Sequence, residues 1–330
     1  PPRIEAQRRR AFIGCFLRGA GFVIDDADPR ATPSAELDEA LRVDPGSAQV
    51  VRPFLGGEEV VTHPRHEPHR RVIHFGSMSE VEARALPGAL GVLERRVRPV
   101  REALGGSAAD RQHRAAWWRF ANPRPELARA IAGLERVIVV PRLSGHLVAV
   151  RIANRAVYSD QLVVIASDSA AVLALLSSRV HELWARAMCS TLGDGLRYVP
   201  TDAFETFPFP SGGFEASSTD ARLAAVGEAF EGVRREALEH HATGLTRLMR
   251  RVHDPRDEDE RVEALRVAWA ELEREVARAY GWDPELVVPR YVEDERGRSR
   301  LGFDAAERAE LLARLDALAQ RGSAAATLAP

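Results

Sequence analysis

The chain has 330 residues, 45% hydrophobic and 28% charged, with a formal net charge of −2, which is apolar material for one sizeable core and room for a second. No apolar run is long enough to span a bilayer and no signal-peptide pattern opens the chain, so a soluble, cytoplasmic protein is expected. Cys15 and Cys189 are too few for a disulfide framework, and Cys189 ends an apolar helix where a reduced thiol packs as a small hydrophobe. All 46 basic residues are arginine, in a chain rich in Ala, Arg and Gly, so their abundance alone is no sign of DNA binding. Distribution says more: residues 1–210 hold 28 Arg against 24 acids, and residues 211–330 hold 18 against 24. Attraction for phosphate is therefore expected from the first part, provided its arginines gather on one face.

In chain order, residues 12–17 and 22–24 read as strands around a glycine-bearing turn, 34–43 as a capped helix and 71–75 as a strand. Two helices broken near Pro87-Gly88 are expected over 80–103, and another over 126–132 after Pro123 and Pro125. The β-branched runs 137–140, 147–152 and 162–166 have strand length, and a helix follows from Ser169. From 178 the spacing of Val180, Leu183, Trp184, Ala187 and Met188 predicts a helix with one buried face. Gly193 and Gly195 then allow a turn, Thr201 or Asp202 can cap a short helical turn, and Phe207-Pro208-Phe209-Pro210 holds the chain extended.

The small-polar stretch 211–219 reads as a linker, dividing an α+β (mixed α/β) domain at 1–210 from a helical domain at 220–330. Leu223, Val226, Phe230, Val233 and Leu238 mark one amphipathic face; Leu245, Leu248, Met249 and Val252 mark a second. Val262, Leu265, Trp269, Leu272 and Val276 form a lengthwise seam, and a last helix from Asp304, with Glu307 as capping partner, buries Leu311, Leu312, Leu315 and Leu318. A small four-helix bundle is expected, its acidic surface suited to protein rather than phosphate.

Candidate chemistry is sparse. His63, His66, His69 and His74 are interrupted by Pro64 and Pro68 and read as a solvated loop rather than a metal site. Ser144 with His146, or His181 with Glu182, are too close in sequence to converge as catalytic pairs, and His240-His241 suits an exposed helix end. Adenine-N6 methylation needs a motif of the form [NDS]-P-P-[YFW], and Asn122-Pro123-Arg124-Pro125 lacks both the adjacent second proline and the aromatic. No glycine-rich nucleotide loop follows a strand, and a chain without lysine cannot supply the lysine of the common nuclease core. No catalytic, cofactor-binding or metal-binding residue is therefore assigned.

The order of several short motifs nevertheless carries a resemblance. Ser178, His181, Trp184, Ala185-Arg186, Leu196-Arg197-Tyr198 and 204–210 (FETFPFP) resemble the end of the target-recognition domain in MmeI-like and Eco57I-like restriction-modification enzymes. The likeness continues upstream through 51–58 (VRPFLGGE), Trp117-Trp118-Arg119-Phe120 and 140–144 (VPRLS), and downstream through 252–255 (VHDP) and 280–283 (YGWD). In that family an adenine-N6 DNA methyltransferase carries its DNA-reading domain after the catalytic one. The resemblance thus implies double-stranded DNA as partner and a catalytic domain, with its S-adenosylmethionine, supplied elsewhere. Since the chain begins at Pro1-Pro2, a fragment is expected.

The segment from 137 to Arg151 reads as a hairpin turning at Gly145, a β-ribbon able to enter a major groove. The resemblance places variable base-contacting residues here, which marks Arg142, Ser144, His146 and Val148 as readers or supporters of base contacts, with Arg151 on the returning strand. Arg119 and Arg197 are candidates for phosphate, although an ion pair of Arg142 with Asp160 and a structural salt bridge of Arg197 are equally open readings. The reading is a sequence-recognition module for a restriction-modification or phage-defence methyltransferase; the alternative is a protein-interaction scaffold that never reads DNA.

Overall fold

The structure, a computed structural model, describes residues 3–193, 195–210, 212–293 and 297–327; Ser211, first residue of the expected linker, lies outside them. The first 120 residues give β1 (Ala11–Ile13), β2 (Val23–Ile24), α1 (Ser34–Val43), β3 (Val51–Leu55), α2 (Gly57–Thr62), β4 (Arg70–Ile73), α3 (Glu80–Arg84), α4 (Pro87–Arg96), α5 (Arg98–Glu102) and α6 (Ala108–Ala115). The expected pair of helices over 80–103 is three, because Pro87 and Pro99 each open a new helix where a proline's missing N–H costs nothing. Strands β2, β4 and β3 are antiparallel neighbours, and a parallel strand closes that sheet from further along the chain. Against it Phe22, Leu37, Val72, Phe75, Leu93 and both Trp117 and Trp118 form a core.

The middle gives α7 (Pro125–Ile131), β5 (Arg136–Pro141), β6 (Leu143–Ser144), β7 (Val150–Ala153), β8 (Val157–Tyr158), β9 (Leu162–Ile165), α8 (Ala170–Ser177), α9 (Arg179–Met188), β10 (Thr191–Leu192) and β11 (Gly195–Arg197). A second sheet runs in the order β1-β9-β5-β7, antiparallel throughout. Thus the two expected strands at 12–17 and 22–24 do not pair: β1 joins β9, while β2 joins β4. Strands β5 and β9 are buried on both faces, which is why VIVV and LVVI show no alternation. Every residue of α8 is buried, as expected of a helix that is apolar all round.

The last part gives α10 (Gly213–Ser218), α11 (Ala221–His240), α12 (Leu245–Val252), α13 (Glu260–Tyr280), β12 (Arg290–Glu293), β13 (Ser299–Gly302) and α14 (Ala305–Thr327). The expected linker is in fact helical and packed. Phe214 of α10, 3% exposed, meets Phe204 and Phe209 edge to face at 5.9 and 5.3 Å, so small polar composition here hides one buried anchor. Four helices occur where expected, and Asp304 and Glu307 cap α14 reciprocally. They do not close into a separate bundle. Helix α11 lies between α8 and α13, α12 leans on α2, and α14 returns onto α9. Gly227 permits the first crossing, since a Cβ there would sit 2.1 Å from the Ala170 carbonyl oxygen. One hydrophobic core therefore runs without a break from the β1-β9-β5-β7 sheet into α11, α13 and α14. Among the described residues no helix is long and apolar enough to cross a membrane.

Candidate nucleic-acid interface

The stretch between β5 and β7 is not the simple hairpin its sequence suggests. Strand β6 leaves β5 and pairs with β11, which pairs with β10, so residues from two distant stretches make a three-stranded tip. Leu143 is opposite Arg197 and Leu192 opposite Gly195; Leu143, Leu192 and Arg197 are exposed. Ser144 lies opposite buried Leu196, on the inward side of the same ribbon. Gly145 has no Cβ obstruction and no positive φ, so it is not the tight turn expected. The chain then dives, and Leu147, Val148 and Ala149 are buried before β7 begins.

Beside the tip, Gly145 and His146 form one side of a cleft of about 710 Å³, closed by the end of α12 and the turn of β12 and β13. Among the described residues Arg250, Arg256, Arg298 and Arg300 line it together with Asp254, which bonds Arg256 at 3.1 Å. Arg250 and Arg197 are exposed and have no ion pair among the described residues.

A buried polar chain fixes the loop between these features. Arg186 donates to the Gly145 carbonyl at 3.1 Å and to Glu182 at 2.9 Å. Glu182 also binds Arg179, whose guanidinium lies 4.1 Å from the Trp269 ring centroid and 3.2 Å from His253 Nε2. Burial alone would raise the Glu182 carboxyl; Arg179 and Arg186 overcome it and hold the group well below the usual carboxylate range. Glu273 of α13 accepts the Arg179 backbone N–H at 2.5 Å, and burial pushes its carboxyl up to about 8. His253 lies parallel to His146 with ring centroids 4.9 Å apart. Burial and Arg300 bring His146 down to about 4, and burial and Arg179 bring His253 to about 2, so both rings are neutral at ordinary pH.

A family model described as "MmeI, target recognition domain" matches residues 30–211, more than half of the chain and all of the tip. The chain belongs to the MmeI target-recognition-domain family. Its fold is also similar to a solved structure of the type IIL restriction-modification enzyme MmeI in complex with DNA, at 17% identity and a TM-score of 0.62. That likeness covers 95% of this chain but 35% of the other, so the chain spans about a third of its solved relative. A comparison with curated proteins gives no match.

Within this target-recognition domain the residues singled out from sequence separate into two groups. Arg142, Ser144 and Arg197 lie at the tip. Arg142 reaches the Asp160 residue, as its alternative reading had it, but donates to the backbone carbonyl at 2.8 Å rather than to the carboxylate. The fold itself occupies the others. His146 and Val148 are 8% and 5% exposed. Arg151 binds Glu231 at 2.6 Å and Glu228 at 2.9 Å, fastening β7 to α11. Arg119 donates to the Met78 carbonyl at 2.9 Å and to that of Ser77. These four side chains are thus engaged within the fold.

Two features escaped the sequence reading. The exposed pair Leu143 and Leu192 carries no periodic signal in strands of two residues. The cleft arginines all follow residue 211, in a part of the chain that is acidic overall. Regional charge says nothing about faces: Glu263, Glu271 and Glu275 pair with Arg266, Arg274 and Arg278 along α13. The four histidines at 63–74 disperse as well, with His74 stacked on Phe120 at 4.6 Å and His66 Nδ1 bonded to the Val60 carbonyl.

Proposed function

We propose that this chain reads the sequence of double-stranded DNA on behalf of an adenine-N6 methyltransferase centre that lies outside its residues, in a further domain or a partner subunit that holds S-adenosylmethionine. The observation that carries the reading is the adjacency of the β6-β11-β10 tip to the four-arginine cleft, within a fold of the MmeI recognition family. The arginines of the cleft engage phosphates and set register. Arg142 and Arg197, with Leu143 and Leu192 beside them, meet base edges and thymine methyl groups in the groove. Residues 1–210 do the reading; the C-terminal helices brace it through Arg186, Glu182 and Arg179 and add the phosphate clamp. A correct match holds the duplex while the separate centre extrudes the adenine.

The test compares cognate with scrambled duplexes across a salt series. Arg197→Ala and Arg142→Ala are expected to lose about 1–3 kcal/mol of discrimination each and little nonspecific affinity. Arg250→Ala should weaken all duplexes alike and lower the salt slope by about 0.9. Binding that shows neither sequence preference nor salt dependence would return the chain to the scaffold class.

A further inference from the structure

On another face, β3, the loop at 64–68, β7 and α11 enclose a second pocket, of about 480 Å³, that the DNA-reading proposal does not use. At its wall stands Arg234, a residue 4% exposed whose guanidinium has no hydrogen-bond acceptor or ion pair among the described residues. Its one close partner is the face of Phe230, 5.0 Å away. Glu231, the carboxylate whose charge reaches it, is already committed to Arg151 at 2.6 Å and Arg136 at 3.7 Å. An uncompensated buried guanidinium is costly, and burial brings its pKa down to about 10.

The surroundings do not repair the imbalance. Six arginines line the pocket against three glutamates. Arg65 pairs with Glu239 at 3.1 Å, but Arg155 and Arg235, both exposed, have no ion pair among the described residues. The pocket lining thus carries three more guanidiniums than carboxylates, a surplus suited to a dianion. His66 donates Nδ1–H to the Val60 carbonyl, which leaves Nε2 as an acceptor on a ring that also lines the pocket. Apolar lining comes from Leu55, Val150 and, one turn beyond Arg234 on α11, Leu238. The volume is in the range of small-molecule sites, and a guanidinium so enclosed is beyond the reach of a duplex backbone.

We propose that this pocket binds a small phosphomonoester, its phosphate on Arg234 with Arg155 and Arg235 at the rim, and its body against Leu55, Val150 and Leu238. Calorimetric titration of the chain with inorganic phosphate and with AMP, at ionic strength balanced by sodium chloride, tests it. Both should bind, AMP the more tightly because its body covers the apolar lining. Arg234→Met should weaken both at least tenfold. Since that variant alters a buried residue, Arg155→Glu serves beside it: exposed and unpaired, it should keep the melting temperature and lose several-fold in affinity. Unchanged affinity in Arg155→Glu, no advantage of AMP over phosphate, or displacement of AMP by a short duplex would each overturn the assignment.

Discussion

Glu182→Gln isolates the link between the recognition loop and the helices behind it, because the change keeps shape and removes only charge. In the native chain Glu182 stands between Arg179 and Arg186, and the Arg179 and Glu182 side chains are 7% and 11% exposed. Removing one partner of such a pair leaves a buried cation, at a cost of about 3–5 kcal/mol, of which the remaining amide oxygen recovers about 1 kcal/mol. Glu273 cannot take over, since burial keeps it protonated at neutral pH. A net loss of about 3 kcal/mol should lower the melting temperature by roughly 6 °C, at about 2 °C per kcal/mol in a chain of this size. The pH dependence adds a second readout. The folded carboxyl titrates below its unfolded value, so its contribution is complete above about pH 4.3 and declines by about 1.4 kcal/mol per pH unit as the pH falls beneath it. The gap between native and variant chains, measured by urea unfolding, should therefore shrink by about 2 kcal/mol between pH 6 and pH 3. A gap that is absent at pH 7, or constant across that range, would refute the ionised bridge as its source.

Glu273→Gln should behave in the opposite sense. A carboxyl raised to about 8 in the fold favours folding only while protonated, so stability falls as pH rises from about 4.3 to about 8, and the variant should be the more stable of the two near pH 8. Phe214→Ala should cost about 3–5 kcal/mol in denaturant unfolding, whereas a true linker position would cost almost nothing. Gly227→Ala forces a Cβ into the Ala170 carbonyl and should destabilise the chain by about 1–3 kcal/mol or more; an unchanged midpoint would mean that α11 can slide off α8.

Much of the fold was legible where one physical cause dominated. The seam of α13 and the apolar stripe of α12 are buried where their spacing put them, because long amphipathic helices declare themselves locally. The helix over 178–188 exists with Ser178 as its cap, yet Ala187, assigned to its buried face, is exposed, while Arg179, His181 and Glu182 are buried. Side chains of that kind are buried only when partners arrive from elsewhere in the chain. Glu182 is paired locally by Arg179 and Arg186, but the partners of Arg179 itself, His253, Trp269 and Glu273, lie at least 70 residues away and that of His181, Tyr198, lies 17 residues on, and no periodicity announces them. The tip was half legible for the same reason. Residues 142–148 were marked, but their true strand partner came from 195–197.

That borrowed partner bears on any attempt to retarget the protein. A graft of the 142–149 stretch from a relative would arrive without the neighbour that shapes it, since β6 has no ladder of its own with β7. The smallest exchangeable unit is composite: residues 142–149 together with 190–198, transplanted as a pair, with Arg186 retained as their common fastening.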